Sequence, residues 1–180
     1  MRLFLAVDLP AKVKDSLDKQ IEVIRRAYAD SNWVSKENYH LTVYFFGETQ
    51  KVKEIKKNIQ DALYDQFSFH LYSQGIDVFI NSKIIVYLNF FREKKLEELS
   101  EKIRKAFSPS SHNLKEFVPH LSLARSRVPS KQQYFAFKKR LEKLDIDIEF
   151  PVKEVILFQS ILGGKKPTYK KIATFKLLQS

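Results

Sequence analysis

Two segments of the chain carry the same four-residue pattern, and this repeat limits the fold more than any other feature of the sequence. The segment HLTV begins at His40 and the segment HLSL begins at His120, each at the start of a β-rich run. Alternate side chains of a strand point to opposite faces. His40 therefore shares a face with Thr42, and His120 shares a face with Ser122, while the aliphatic residues of both segments are predicted to be core.

The repeat predicts two similar halves whose strands face each other across a groove. One copy of the pattern is commonplace on a half-buried strand and indicates little by itself. Two copies at corresponding places of two pseudo-symmetric halves would present two imidazoles and two hydroxyls to a single ligand.

The apolar patterns of the remaining chain predict the class α+β, with mainly antiparallel sheet flanked by helices. Amphipathic spacings predict helices within 11–29, 52–63, 96–107 and 137–144, and β-rich runs predict strands at 2–9, 40–46, 120–124, 152–162 and 169–178. Three further β-rich runs between residues 67 and 91 predict a meander, with turns at Ser-Gln-Gly and Asn-Ser. No linker divides the chain, so residues 1–180 are predicted to form one domain with two pseudo-symmetric lobes around a central cleft.

Composition excludes several classes of protein. The chain has 180 residues, of which 44% are hydrophobic and 29% are charged, as in ordinary globular proteins. It has no cysteine, which excludes disulfides and thiolate metal sites, and its 4 glycines are too scattered for a nucleotide-binding loop. The longest stretch without a charged residue, Gln66 to Ile76, is far shorter than the roughly 18 apolar residues of a membrane span. Without a signal-peptide pattern at the amino terminus, a cytoplasmic protein with no membrane partner is expected.

The chain carries a strong positive charge. Lysine and arginine number 32 against 21 aspartate and glutamate, which gives a net charge of +11. A field of that sign attracts polyanions such as RNA, although such an excess also serves solubility alone. The basic residues that we consider for contact with an RNA backbone are Arg125, Arg127, Lys165 and Lys166.

Two histidines and two hydroxyls facing one ligand suit the cleavage of a phosphodiester. An imidazole pKa near 6.5 allows one ring to be neutral and act as base while the other is protonated and acts as acid. No carboxylate cluster of the kind that holds Mg²⁺ is visible, so no metal is expected. His70 and His112 lack the following hydroxyl and are interpreted as structural or surface residues.

Four pieces of the sequence together resemble a known family. They are RLFLAVDLP at the amino terminus, NWVSKENYHLTVYFFGE around His40, EFVPHLSLAR around His120 and VILFQSILGGKKPTY near the carboxyl end. In order and spacing they resemble the two-histidine (2H) phosphoesterases, and in particular the RNA 2',3'-cyclic phosphodiesterases of the 2'-5' RNA ligase type. The resemblance spans nearly the whole chain and implies a V-shaped cleft between two lobes, with both motifs inside.

The resemblance implies roles for the residues of the repeat. His40 resembles the general acid and His120 the general base, while Thr42 and Ser122 resemble the phosphate contacts. Many relatives have threonine at the position of Ser122, and serine keeps the hydroxyl.

Two further positions match the family, each five residues after a histidine. Arg125 resembles an arginine near the phosphate, and Phe45 resembles an aromatic residue near the terminal base. An offset of five is odd, so a regular strand would turn both side chains away from the histidines. Arg125 escapes this objection if the strand ends before it, and Phe45 is equally well interpreted as core unless its strand ends or bulges.

The implied activity is hydrolysis of the terminal 2',3'-cyclic phosphate of RNA, tRNA fragments included, to a 2'-phosphate without metal, ATP or other cofactor. Joining RNA through a 2'-5' linkage is an implied side activity, and a monomer is expected. Two alternatives stay open: an esterase for 2'-5' oligonucleotides or small cyclic nucleotides, and a non-catalytic RNA-binding protein.

Overall fold

The computed structural model describes residues 1–80, 82–108, 117–127, 129–164 and 166–179. Within them the chain forms nine strands, five α-helices and one 3-10 turn at Lys36–Asn38. The strands are β1 (Arg2–Asp8), β2 (Asn32–Trp33), β3 (His40–Glu48), β4 (Phe69–Ile80), β5 (Ile84–Phe90), β6 (His120–Ser126), β7 (Glu149–Val152), β8 (Glu154–Ile161) and β9 (Thr168–Lys176). The helices are α1 (Ala11–Gln20), α2 (Glu22–Ala27), α3 (Val52–Ala62), α4 (Lys94–Phe107) and α5 (Lys131–Leu141).

The named strands form one antiparallel sheet in the order β7-β4-β5-β6-β3-β1-β8-β9, with β2 paired to β6. The first lobe contains β3, β1, β8 and β9, and the second lobe contains β6, β5, β4 and β7. The two lobes meet at β3 and β6, whose register pairs Leu41 with Leu121. Both leucines are 0% exposed. The predicted α+β class with two lobes of mainly antiparallel sheet is therefore confirmed, and the lobes are halves of a single sheet.

One face of the sheet is covered by helices and forms the main core. The apolar stripe of each helix, as in Leu17 of α1 and Ile59 of α3, is buried in this core together with Leu5, Leu41 and Leu121. The opposite face of the first lobe carries a smaller buried cluster of Phe4, Ala6, Ile156 and Phe158, with Tyr169 packed against it. Strand β1 is buried on both faces, which explains why its sequence is apolar at nearly every position.

The predicted three-strand meander between residues 67 and 91 is wrong. Ser-Gln-Gly is not a turn, because β4 runs through it to Ile80, and β5 begins at Ile84. Asn81 of the second predicted turn lies outside the described residues. Gly75 adopts a φ of 135° at a register shift between Ser73 and Gly75. The glycine thus permits a β-bulge, a conformation that costs most other residues strain.

One predicted helix is divided in the structure. The helix predicted over 11–29 is two helices, α1 and α2, which meet at Ile21. Among the described residues, no helix has the length and apolar character that crossing a membrane requires.

Candidate active site

The four residues of the repeat come together where the two lobes meet. Because Leu41 lies opposite Leu121 in an antiparallel pair, His40 is beside Ser122, and Thr42 is beside His120. Alternation places these four residues on the face opposite the two leucines. We call this the cleft face of the sheet.

A β-bulge in β3 brings Phe45 to the cleft face. Ala6 of β1 pairs with Thr42, the preceding residue Leu5 pairs with Tyr44, and Phe4 before it pairs with Phe45. One extra residue of β3 therefore lies between Thr42 and Tyr44, and alternation is shifted by one position after it. Phe45 consequently shares a face with Thr42 in spite of the odd offset.

The same device acts in β6. Tyr87 of β5 pairs with Ser122, whereas the preceding residue Val86 pairs with Ala124. Leu123 is therefore the extra residue of β6. Ala124 then faces the main core beside Val86, and Arg125 turns to the cleft face. The expectation that β6 ends before Arg125 is wrong, since the strand continues to Ser126.

Hydrogen bonds fix the orientation of the His40 ring. Its Nδ1 lies 2.7 Å from the carbonyl oxygen of Asn38, and its Nε2 lies 3.1 Å from Oγ1 of Thr42. A carbonyl only accepts hydrogen bonds, so Nδ1 carries the proton and the neutral ring accepts from the Thr42 hydroxyl at Nε2. The nitrogen with the free lone pair is thus the one that faces the hydroxyl.

Apolar rings surround His40 and alter its proton affinity. The Phe4 ring centroid lies 5.0 Å from that of His40, and the Tyr169 ring meets His40 edge-on at 5.1 Å. Burial lowers the pKa of His40, electrostatic interactions with Lys14 and His120 add to this, and the Asn38 carbonyl and Asp8 oppose it. In the free protein the neutral ring is therefore favoured at neutral pH.

His120 has a matching setting in the second lobe. Its Nδ1 lies 2.8 Å from the carbonyl oxygen of Val118, which again leaves Nε2 for the cleft. Phe79 and Tyr87 stack with centroids 4.0 Å apart, and both meet the His120 ring edge-on, at 5.2 and 5.7 Å. Each histidine is thus held between two aromatic rings and one backbone carbonyl.

Sequence reasoning did not predict that these four aromatic residues contact the histidines. Their positions bear no fixed spacing to the histidines, because Phe4, Tyr169, Phe79 and Tyr87 reach the cleft face through strand pairing. The only available signal was that residues on β1 alternate, so that Phe4 and Asp8 share a face.

The rim of the cleft face is basic and aromatic. Phe45 is 50% exposed, and the guanidinium carbon of Arg2 lies 5.0 Å from its ring centroid. Burial raises the pKa of the Tyr169 hydroxyl, while the charges of Arg125 and Arg2 oppose this shift. Both arginines therefore contribute positive potential at the Tyr169 hydroxyl.

A small cavity of about 160 Å³ adjoins His40. Its lining includes Asp8, Lys14 and Lys171, and the carboxylate of Asp8 lies 2.6 Å from Nζ of Lys14 and 3.0 Å from Nζ of Lys171. The part of the chain that the structure describes contains no group of three or more histidine, aspartate or glutamate side chains placed to hold a metal ion.

None of the contacts described above involves the other residues considered from the sequence. His70 is on β4, with Nε2 3.7 Å from Oε2 of Glu149. Arg127 and Lys166 are exposed. His112 and Lys165 lie outside the described residues.

Comparisons with known proteins identify the family. The model of the 2'-5' RNA ligase superfamily matches residues 13–163. The RNA 2',3'-cyclic phosphodiesterase of Thermotoga maritima is 31% identical over 94% of this chain and 92% of its own length. The RNA 2',3'-cyclic phosphodiesterase of Methanocaldococcus jannaschii is 32% identical over 96% of this chain and 98% of its own length.

Solved structures share the fold. Escherichia coli LigT, crystallised with 3'-AMP, has a TM-score of 0.76 at 23% identity, with 99% of this chain and 98% of LigT covered. A Thermus thermophilus protein has a TM-score of 0.77 at 24% identity, with 98% of each chain covered. Since the family model matches most of the residues and the relatives cover nearly the whole chain, the chain belongs to the 2'-5' RNA ligase superfamily.

Proposed function

We propose that this protein is a metal-independent phosphodiesterase that opens the terminal 2',3'-cyclic phosphate of RNA and leaves a 2'-phosphate. The observation that carries the proposal is the pair of imidazoles on one sheet face, each held through Nδ1 so that Nε2 is available. The names of the two relatives support the same substrate.

The reaction needs two proton transfers and a water molecule. His120 takes a proton from water at Nε2, and the water oxygen attacks phosphorus as the bond to the ribose 3' oxygen breaks. Protonated His40 gives its Nε2 proton to that departing oxygen. The hydroxyls of Thr42 and Ser122 donate hydrogen bonds to the non-bridging oxygens, and Arg125 balances their negative charge.

The lowered pKa of His40 agrees with a general acid whose ring becomes protonated when the anionic substrate binds. An anionic phosphate beside a buried imidazole favours the protonated form, and the effect is strong where water is excluded. His40 would therefore take up a proton as the substrate binds.

Other parts of the proposal concern recognition and setting. Phe45 would stack on the terminal base, since its ring is exposed on the cleft face. The reverse reaction, 2'-5' joining of RNA, would use the same groups. We further propose a cytoplasmic monomer whose substrates include tRNA fragments.

The proposal is tested with a panel of substrates in the presence of EDTA. We expect an oligonucleotide ending in a 2',3'-cyclic phosphate to give a 2'-phosphate at a rate unchanged by EDTA, because imidazole proton transfer needs no Lewis acid. Activity that is lost on chelation and restored by Mg²⁺ or Mn²⁺ would contradict the metal-free mechanism. Faster cleavage of 2'-5' oligonucleotides or of small cyclic nucleotides would favour the alternative esterase. Binding of RNA without turnover would favour a non-catalytic RNA-binding protein.

The pH dependence of His120→Ala should separate the two histidine roles. Its residual activity depends on His40 alone, and kcat/KM reports the free enzyme. If His40 is the acid, residual kcat/KM should fall about tenfold per pH unit above a pKa that burial places below the ordinary value near 6.5. A residual kcat/KM that instead rises with pH over this range would make His40 the base. The wild-type profile is the control, and its two limbs belong to the pair.

The positive charge should give a salt dependence that grows with RNA length. For single strands, the slope of log K against log salt is about −0.7 per neutralised phosphate. We therefore expect a steeper slope for an oligonucleotide ending in a cyclic phosphate than for a cyclic mononucleotide, measured as 1/KM between low and high salt. Equal slopes would mean that recognition ends at the terminal nucleotide.

A further inference from the structure

The two histidines are held by the same local contact but by different residues. In each case Nδ1 donates to the carbonyl oxygen two positions earlier, which belongs to Asn38 for His40 and to Val118 for His120. The contact decides which ring nitrogen keeps the proton. The acceptor carbonyl must therefore stay in place if Nε2 is to remain the nitrogen that meets the substrate.

The Asn38 side chain links this carbonyl to a distant part of the chain. Its Nδ2 donates to the carbonyl oxygen of Pro167 at 2.8 Å, in a partly buried hydrogen bond across 129 positions of sequence. Pro167 directly precedes β9, and Tyr169 of that strand meets the His40 ring edge-on. The start of β9 thus contacts both the ring and the residue that fixes the ring.

The 3-10 turn at Lys36–Asn38, which contains Asn38, is also attached to α1. Lys14 donates from Nζ to the Glu37 carbonyl at 2.9 Å, and Lys36 forms an ion pair of 2.6 Å with Asp15. Asn38 supplies the attachment on the β9 side. Val118 has an apolar and exposed side chain, which offers no such hydrogen bond.

We propose that Asn38 is a positioning residue for His40. Its side-chain amide, held by the Pro167 carbonyl, keeps the Asn38 backbone carbonyl aimed at Nδ1, so that the start of β9 sets the tautomer and direction of the catalytic ring. The kinetic consequence rests on the proposed function, while the effect on the tautomer does not.

The test uses Asn38→Ala and Asn38→Leu, the second of which keeps the side-chain volume but lacks the donor. Long-range ¹H–¹⁵N spectra of the full chain distinguish the protonated from the unprotonated imidazole nitrogens at alkaline pH. We expect His40 to lose its pure Nδ1–H form in both variants while His120 keeps it. We also expect kcat for the cyclic-phosphate oligonucleotide to fall about tenfold with KM changed less than about twofold.

Asn58→Ala, on α3, is the matched control and should leave spectra and kcat unchanged. An unchanged His40 tautomer in both variants overturns the proposal, as does an equal change at both histidines, since the second result indicates general loosening. Failure of both variants to fold, with Asn58→Ala folded, would assign Asn38 to stability and also overturn it. A wrong substrate would abolish the kinetic effect but not the change in the His40 spectrum, so the two failures are distinguishable.

Discussion

Replacing His40 or His120 by alanine is expected to lower kcat by roughly 10²- to 10⁴-fold in each variant. Each change removes a ring that transfers one proton in the proposed reaction, and positioned acid or base groups contribute about that factor. Both rings lie on the cleft face, outside the main apolar core, so the fold should survive. The measurement is kcat on an oligonucleotide ending in a 2',3'-cyclic phosphate, with thermal unfolding of the same samples to show that they are folded.

His70→Ala is the control for loss of an imidazole as such, because His70 lies beside Glu149 and away from the cleft. Thr42→Ala and Ser122→Ala should lower kcat less than the histidine changes do, since each removes one hydrogen bond to phosphate. Turnover within about threefold of wild type in either histidine variant would contradict a two-histidine mechanism. Equal losses at the hydroxyls would mean that they do more than hold phosphate.

The repeated pattern was enough to predict which four residues the structure brings together on the cleft face. Alternation along a strand predicts that His40 and Thr42 share a face, and the second copy predicts that a partner strand presents the same groups. The structure adds the register, in which Leu41 lies opposite Leu121 and the two motifs become neighbours. The fold class could also be predicted from the order of the apolar patterns, because each pattern depends only on local spacing along the chain.

The positions of Phe45 and Arg125 could not be settled from spacing. A β-bulge adds one residue to one strand, and its location depends on the partner strand, which the sequence of β3 or β6 alone does not reveal. Both bulges fall directly after the hydroxyl residue of the motif, one in each lobe. The pseudo-symmetry thus extends to the irregularity that turns the fifth residue toward the histidines.

Long-range contacts explain the rest of what was missed. The hydrogen bond from Asn38 to Pro167 and the ring contact of Tyr169 with His40 connect distant segments. No periodicity relates such positions. They become visible only once β9 is placed beside β8, and β8 beside β1.

Leu121→Ala should destabilise the protein by about 2–5 kcal/mol, measured as the free energy of unfolding in urea. Leu121 is 0% exposed and lies opposite Leu41, where the two lobes meet. Truncation removes buried methyl groups and leaves a cavity between strands that have little freedom to collapse, because each is paired on its other side as well. The main core then loses contacts from both lobes at once.

Leu162→Ala makes the same chemical change at a residue that is 64% exposed and should alter the free energy of unfolding by less than about 0.5 kcal/mol. A cost below about 1 kcal/mol for Leu121→Ala would contradict a close contact between the lobes at this pair. Activity of the folded Leu121→Ala variant adds a second measurement. Because Leu121 separates His120 from Ser122 on the same strand, a shift of the backbone there would move both groups against His40, and kcat should fall even under conditions where the variant is fully folded.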